Sequence, residues 1–524
     1  MALLGACHGG PRVAAPGEGA QQGSAHADHS ARWRYTARFD EGLHNLALSL
    51  CIDGPTPARL VASEDALASL REARVRGGPA LAREGRSLRV DDLGEHGCLD
   101  LDIDLDTAIA QGGRDTQRIG ASILLSPHRW LWHPAQLPPE LDARARLILP
   151  EGVQANTPWA PIAGSESGSG SESGSGSGSG ENSSSEPGSW RRLEPSAFTW
   201  GAWMAIGDLQ SLSFSVAGAT FEVAVLEGPR RASDAGIEAW LRLAAETGAA
   251  LYDACPRDRV SVVVIPSPGW RDAPVLFGMA RRGGGASAML LVDSEASDDA
   301  LLGEWVAVHE LLHFALPLIS APWMSEGFVT YYTEVLRARA GVHSLGEAPR
   351  PGESFAEHQV RLGLARLYTG FKKAGGSDSL GRASRDMRRS GGYGRVYWGG
   401  AAIAYDLDLS LRRASAGRHS LDDLVTSLGD TLETRRRWSP DELFARFDRL
   451  AARWYADGEL SIEISPSAIM QAHLGAKKVP ESVSTLSGLA VEIRDGRPEI
   501  LAEPRDQVDL RTALLSPVKP VRGG

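Results

Sequence analysis

The sequence has no apolar run approaching the roughly 18 residues that a membrane-spanning helix needs, so no segment reads as one. It has no positive excess either. Lys and Arg number 55 against 66 Asp and Glu, a net charge of −11, which argues against nucleic acid as a partner. Cysteine is scarce, with four in 524 residues, too few for a disulfide scaffold. Cys51 and Cys98 both lie in strand-like runs and could pair in an oxidising compartment, although four cysteines do not prove it. Apart from one Gly-Ser tract there is no internal repeat. What remains is globular. The hydrophobic share of 42% can fill sizeable cores, and the length suggests about three domains.

Histidine is also scarce, 13 in the whole chain, so two within five positions stand out. They lie in LGEWVAVHELLHFALPLISAPWMSEGFVTYY, Leu302 to Tyr332, as His309-Glu310-x-x-His313. On a helix, residues four apart stack on one face, so both imidazoles aim at a single point that suits a zinc ion. Glu310 turns to the same side, where it can act as general base on a water held there. A lone His in an apolar helix is more often a satisfied core residue. Three ionisable groups in one turn of such a helix differ, because burying them unpartnered costs several kcal/mol and a metal relieves that cost.

A catalytic zinc takes a third protein ligand and keeps an open position. A third His six residues past His313 is excluded, since that position is Ile319. Pro317 and Pro322 break the chain between two helices, and Glu326 follows in the first turn of the second. Antiparallel packing brings His313 and Glu326 level. Glu334 is the rival, about two turns or roughly 12 Å further along, too far for a tight hairpin.

HELLH followed by WMSEGFVTYY resembles the gluzincin aminopeptidases, the aminopeptidase N group and above all the glycyl aminopeptidase group. In them a W-x-x-E-G-x-x-x-Y segment supplies the glutamate ligand, although the interval from His313 to Glu326 is shorter here. VYWGGAAIAYDLDLSLRRASAGRHSLDDL, Val396 to Leu424, is similar to their Y-x-x-G-A helix. The resemblance implies one Zn²⁺, a peptide or protein substrate, and Tyr397 as the residue that steadies an oxyanion, with Tyr393 as a nearby competitor. It also places a substrate-binding edge strand at GGGASAMLLVD, Gly283 to Asp293, with Gly283, Gly284, Gly285 and Ala286 as substrate contacts. Those families carry a glutamate there that grips a free amino terminus. No acidic residue stands between Gly283 and Val292, so exopeptidase and endopeptidase both stay open.

From Arg32 to Gly228 the pattern is β, in short alternating or apolar runs bounded by Gly, Pro or Asp. CLDLDIDLD, Cys98 to Asp106, alternates strictly between an apolar face and an acidic one, read as solvated sheet surface in preference to a calcium site. Helical pattern is weak there except in ASEDALASLREARV, Ala62 to Val75. The polar Gly-Ser-Glu tract over 164–189 is an insertion in a surface loop and should be disordered. The fold expected is multidomain α+β. A tether over 1–30 precedes an N-terminal β-sandwich-like domain over 31–228. A thermolysin-like zinc peptidase domain follows over 229–460, a small mixed sheet plus a helical lobe, then a small C-terminal segment over 461–524. In the helical lobe, SLDD at Ser420 and SPDE at Ser439 read as capping starts.

MALLGAC at the start resembles the end of a bacterial lipoprotein signal, which implies membrane attachment through a lipid on Cys7 and a cell-envelope location. The activity expected is zinc-assisted peptide hydrolysis, aminopeptidase-like. The alternative is a catalytically inactive gluzincin-fold protein of the envelope that binds peptides or serves adhesion.

Overall fold

A computed structural model describes residues 31–516 apart from 95, 139–140, 163–187, 344–347 and 433–435. Cys7, the tether and nearly all of the Gly-Ser insertion lie outside these residues. The architecture is multidomain α+β: several sheets occupy the first half of the chain, and helices dominate the second.

The largest sheet has six strands, in the order Arg191–Leu193, Asp142–Ile148, Arg32–Phe39, Asn45–Asp53, His96–Asp104 and Leu70–Val75. Alternation decides which face is covered. Trp33, Tyr35, Leu46, Leu48, Leu50, Leu99, Leu101 and Ile103 all point into one core. The opposite face carries the aspartates, answered by arginines: Asp100 pairs with Arg76 at 2.7 Å, Asp104 with Arg71 at 2.9 Å, and Asp53 with Arg34 at 2.9 Å. Cys51 and Cys98 stand opposite each other in this sheet and form a disulfide. The helix expected over Ala62 to Val75 stops at Ser69, and Leu70–Val75 becomes an edge strand. Pairing with the Asp-rich strand overrides helix propensity there, because it buries Leu70 and Ala73.

A five-stranded mixed sheet follows, ordered Gln210–Val216, Ala219–Val225, Arg259–Ser267, Ala286–Asp293 and Val275–Arg281. Its first two strands lie before residue 228, so this sheet straddles the boundary expected there. Ala286–Asp293 is not the edge strand. It is paired on both sides, parallel to Arg259–Ser267 and antiparallel to Val275–Arg281, which forms the edge. In VLFGMAR the glycine at 278 interrupts the apolar run, which weakens the strand signal in the sequence.

Helices then build one continuous core with this sheet. The His helix, Val306–Leu312, runs into a 3₁₀ turn at His313–Ala315, and the Glu helix, Pro322–Arg339, follows a short connector. Further on, Phe355–Lys373 starts at a Ser354 capping box, and the Tyr helix spans Tyr393–Ala414. Ser420 and Ser439 both cap helices, the second with Pro440 in its first turn. The helix that Ser420 starts is short and ends at Thr426. A hairpin, Val491–Arg494 with Arg497–Ile500, and a helix at Arg505–Leu515 complete the described chain. No helix among the described residues is long and apolar enough to cross a membrane.

Candidate metal site

The His helix lies against the sheet with its HELLH face toward the Glu helix. Its start is held by the Glu304 carboxylate, which accepts from the Val306 N–H at 2.7 Å. Pro322 opens the Glu helix at its first position, where a missing N–H is harmless. The connector between them bends back through Leu316 and is tied to a strand-like segment at Trp438. Trp438 N–H donates to Leu318 O at 2.8 Å, and Ser320 N–H donates to Trp438 O at 2.9 Å.

This hairpin brings His309, His313 and Glu326 together. Nε2 of His309 lies 3.5 Å from Glu326 Oε2, and Nε2 of His313 lies 3.4 Å from the same oxygen. The imidazoles meet nearly at right angles with centroids 5.1 Å apart. Among the described residues, these three form the one group of His, Cys, Asp or Glu side chains whose ligand atoms could surround an ion, all within 4.8 Å of one another. Ligands about 2.1 Å from a shared tetrahedral zinc stand roughly 3.4 Å apart, so the spacings fit. Two imidazoles and one carboxylate are also a catalytic zinc donor set. Glu334 sits elsewhere, buried in an ion cluster with Arg366 at 3.0 Å, His343 at 3.6 Å and Arg337 at 3.7 Å.

The electrostatics separate the two carboxylates. Burial pushes the Glu326 carboxyl up, but the charges and hydrogen bonds of His313 and His309 outweigh it and hold the group well below the usual range. Glu310 is pushed up to about 7, chiefly by burial, with Glu326 adding and His309 and the Ala280 N–H opposing. That N–H, on the edge strand, donates to Glu310 Oε2 at 2.7 Å. Glu310 is thus poised near neutral pH while Glu326 stays ionised.

Tyr397 lies on the other side of His309, its ring nearly parallel at 10° with centroids 6.1 Å apart, and Tyr393 meets Tyr397 edge-on at 6.3 Å. Two glycines make this approach feasible. A Cβ on Gly327 would lie 2.4 Å from the Gly400 Cα, and a Cβ on Gly400 would run into the Trp323 carbonyl oxygen at 1.7 Å. The Glu and Tyr helices therefore cross in direct backbone contact, which sets Glu326 and Tyr397 beside the same imidazole.

Gly283, Gly284, Gly285 and Ala286 are not at an open edge. Gly283 N–H donates to Gly201 O at 3.1 Å, Gly284 N–H donates to Ser196 Oγ at 3.0 Å, and a Cβ on Gly285 would meet the Pro158 carbonyl at 2.2 Å. These glycines let the sheet dock against the preceding β region instead. Ala286 is buried in the five-stranded sheet.

Sequence reasoning missed two supporting groups. Thr333 donates its hydroxyl proton to Val329 O at 2.7 Å, which leaves Oγ1 to accept from His309 Nδ1 at 3.4 Å. That contact suits a proton on Nδ1, which would free Nε2 to bind a metal ion beside Glu326. Thr333 stands two turns after Glu326, a spacing that could have revealed it. Gly278 is the other. A Cβ there would meet Val306 Cγ1 at 2.5 Å and Glu310 Cγ at 2.7 Å, so only glycine lets the edge strand lie this close to the His helix.

No family model matches the sequence, and no curated protein does. Solved structures do match. An M1 zinc metallopeptidase from Deinococcus radiodurans aligns at 14% identity over 91% of this chain and 96% of its own, with a TM-score of 0.46. An aminopeptidase N family protein from Idiomarina loihiensis aligns at 15% identity over 88% of this chain and 79% of its own, with a TM-score of 0.60. At that level of likeness, the chain has the fold of the Idiomarina loihiensis aminopeptidase N family protein.

Proposed function

We propose that this protein is a zinc-dependent metallopeptidase that hydrolyses peptide bonds, aminopeptidase-like in fold and chemistry. The observation that carries the reading is the convergence of His309, His313 and Glu326 on one point, with Glu310 beside them. Zinc held by those three side chains would supply an acidified water and a polarised scissile carbonyl. Glu310, raised to about 7 mainly by burial, accepts the proton of the attacking water and delivers it to the leaving amine. Tyr397 donates its hydroxyl to the developing oxyanion, an effect worth roughly 2.7–4 kcal/mol in comparable sites. The five-stranded sheet, the His helix packed against it and the helices beyond support a thermolysin-like layout, in which a substrate would lie between sheet and helices. Val275–Arg281, as the sheet's edge, is where an extended peptide would add as a further strand. The Cys51–Cys98 disulfide supports an oxidising compartment such as the cell envelope.

Metal analysis with a fluorogenic peptide panel, bearing free and blocked amino termini, tests this reading. Glu310→Gln should keep stoichiometric zinc and lose hydrolysis, and Glu326→Ala should lose the metal. Cleavage of blocked peptides would assign an endopeptidase, and cleavage of free amino termini alone an aminopeptidase. Retained hydrolysis by purified Glu310→Gln protein would refute the mechanism.

A further inference from the structure

His313 occupies an exposed mechanical position. Its side chain joins the candidate ligand set, but its backbone lies where the α-helix has already given way to a 3₁₀ turn. In a continuing helix the His313 carbonyl would accept from the N–H four residues on. That residue is Pro317, which has no N–H. The end of the His helix is not closed by a left-handed glycine either, since Leu316 is extended with φ −117° and ψ 154°.

Arg282 takes the place of the missing donor. It directly follows the edge strand, and its Nη2 donates to the His313 carbonyl and, at 2.7 Å, to the Leu316 carbonyl. No carboxylate forms an ion pair with Arg282 among the described residues. A half-buried cation without a counter-anion is costly, and the carbonyls at the negative end of the His helix offset that cost. Planar guanidinium suits two carbonyls at once, as an ammonium does not.

We propose that Arg282 is a positioning residue for the candidate metal site: by holding the His313 carbonyl, it fixes where the His313 imidazole stands relative to His309 and Glu326. The inference rests on reading those three side chains as zinc ligands. Edge strand, His helix and ligand set are thereby joined through one side chain. Trp438 restrains the far end of the same connector through Leu318 and Ser320.

Zinc affinity of the purified full-length chain, measured by chelator competition, tests it. R282M should bind zinc about 10- to 100-fold more weakly, the range seen when a partner of a metal ligand is lost. R282M and R282K fill similar space but only the second keeps a donor, so R282K should recover part of the lost affinity. General loss of packing would not be rescued in this way. R282K keeps the charge without the fork and should fall between R282M and wild type. Wild-type affinity in folded R282M overturns the proposal, as does wild-type affinity in R282K if R282M does not fold. Equally weak binding by R282M and R282K overturns it too. A wild-type chain that takes up no zinc brings down the site itself, an outcome separable from these because it appears before any substitution is made.

Discussion

Replacing Gly400 by Ala adds a single methyl group where the Glu and Tyr helices touch. Two effects oppose each other. Alanine is the better helix former by about 1 kcal/mol, which alone would stabilise the protein. Yet the new Cβ would lie 1.7 Å from the Trp323 carbonyl oxygen and 2.9 Å from the Gly327 Cα, all backbone, whereas ordinary contact begins near 3.4 Å. The helices must part by about 1.5 Å at that point, and overpacking of this kind typically costs 1–3 kcal/mol. The clash wins. Trp323 is one turn before Glu326 and Gly400 one turn after Tyr397, so the displacement falls on both functional side chains. Misplacement by about 1 Å is worth roughly 100-fold in rate. Gly400→Ala should therefore lower the melting temperature and reduce kcat/KM about 100-fold. Gly394→Ala, in the first turn of the same helix with nothing within 4 Å of its Cβ, should do neither. Thermal denaturation and peptide kinetics on the two variants decide the matter. A Gly400→Ala protein with wild-type melting temperature and activity would show that the crossing is not as close as argued.

Thr333→Val keeps the shape but removes the acceptor for His309 Nδ1, and zinc affinity by chelator competition should fall about tenfold. Gly278→Ala drives the edge strand away from Val306 and Glu310, so kcat/KM should drop about 100-fold with zinc content unchanged. Full activity there would mean that the edge strand does not position the base. Away from the site, the hydrogen bond from Arg361 holds the Glu353 carboxyl at about 2, against an ordinary value of 4.5. A depressed carboxylate contributes its stability above the unfolded value and loses it as pH falls through the folded one. The melting-temperature difference between wild type and Glu353→Gln should thus be constant above about pH 5 and shrink between pH 4.5 and 2. A difference unchanged at pH 2 would exclude this pairing as its source.

Much of the site is legible along the chain because its determinants are short-range. The spacing of His309 and His313 follows from the helical repeat, and Pro317 and Pro322 bound the connector because proline ends one helix and opens another. Ser420 and Ser439 announce helix starts through side-chain bonds three residues long. Period-two alternation marks Asn45–Asp53 and His96–Asp104 without reference to anything distant. Other features depend on residues far apart in sequence. Leu70–Val75 becomes a strand because the Asp-rich strand needs a partner, against its own helical pattern. The edge of the five-stranded sheet falls on Val275–Arg281, because strand order is set by how whole strands pack and not by their composition. Gly283 to Gly285 serve the contact with Pro158, Ser196 and Gly201, residues some 80 to 130 positions earlier, and glycine content alone does not say what will press against it. Local periodicity and chain breaks thus determined which residue types could meet an ion and on which helix faces. Only the tertiary structure decided that the helices close through Gly327 and Gly400, that Thr333 and Arg282 support the histidines, and that Glu334 is neutralised elsewhere, since each is a contact between segments whose proximity no short-range preference encodes.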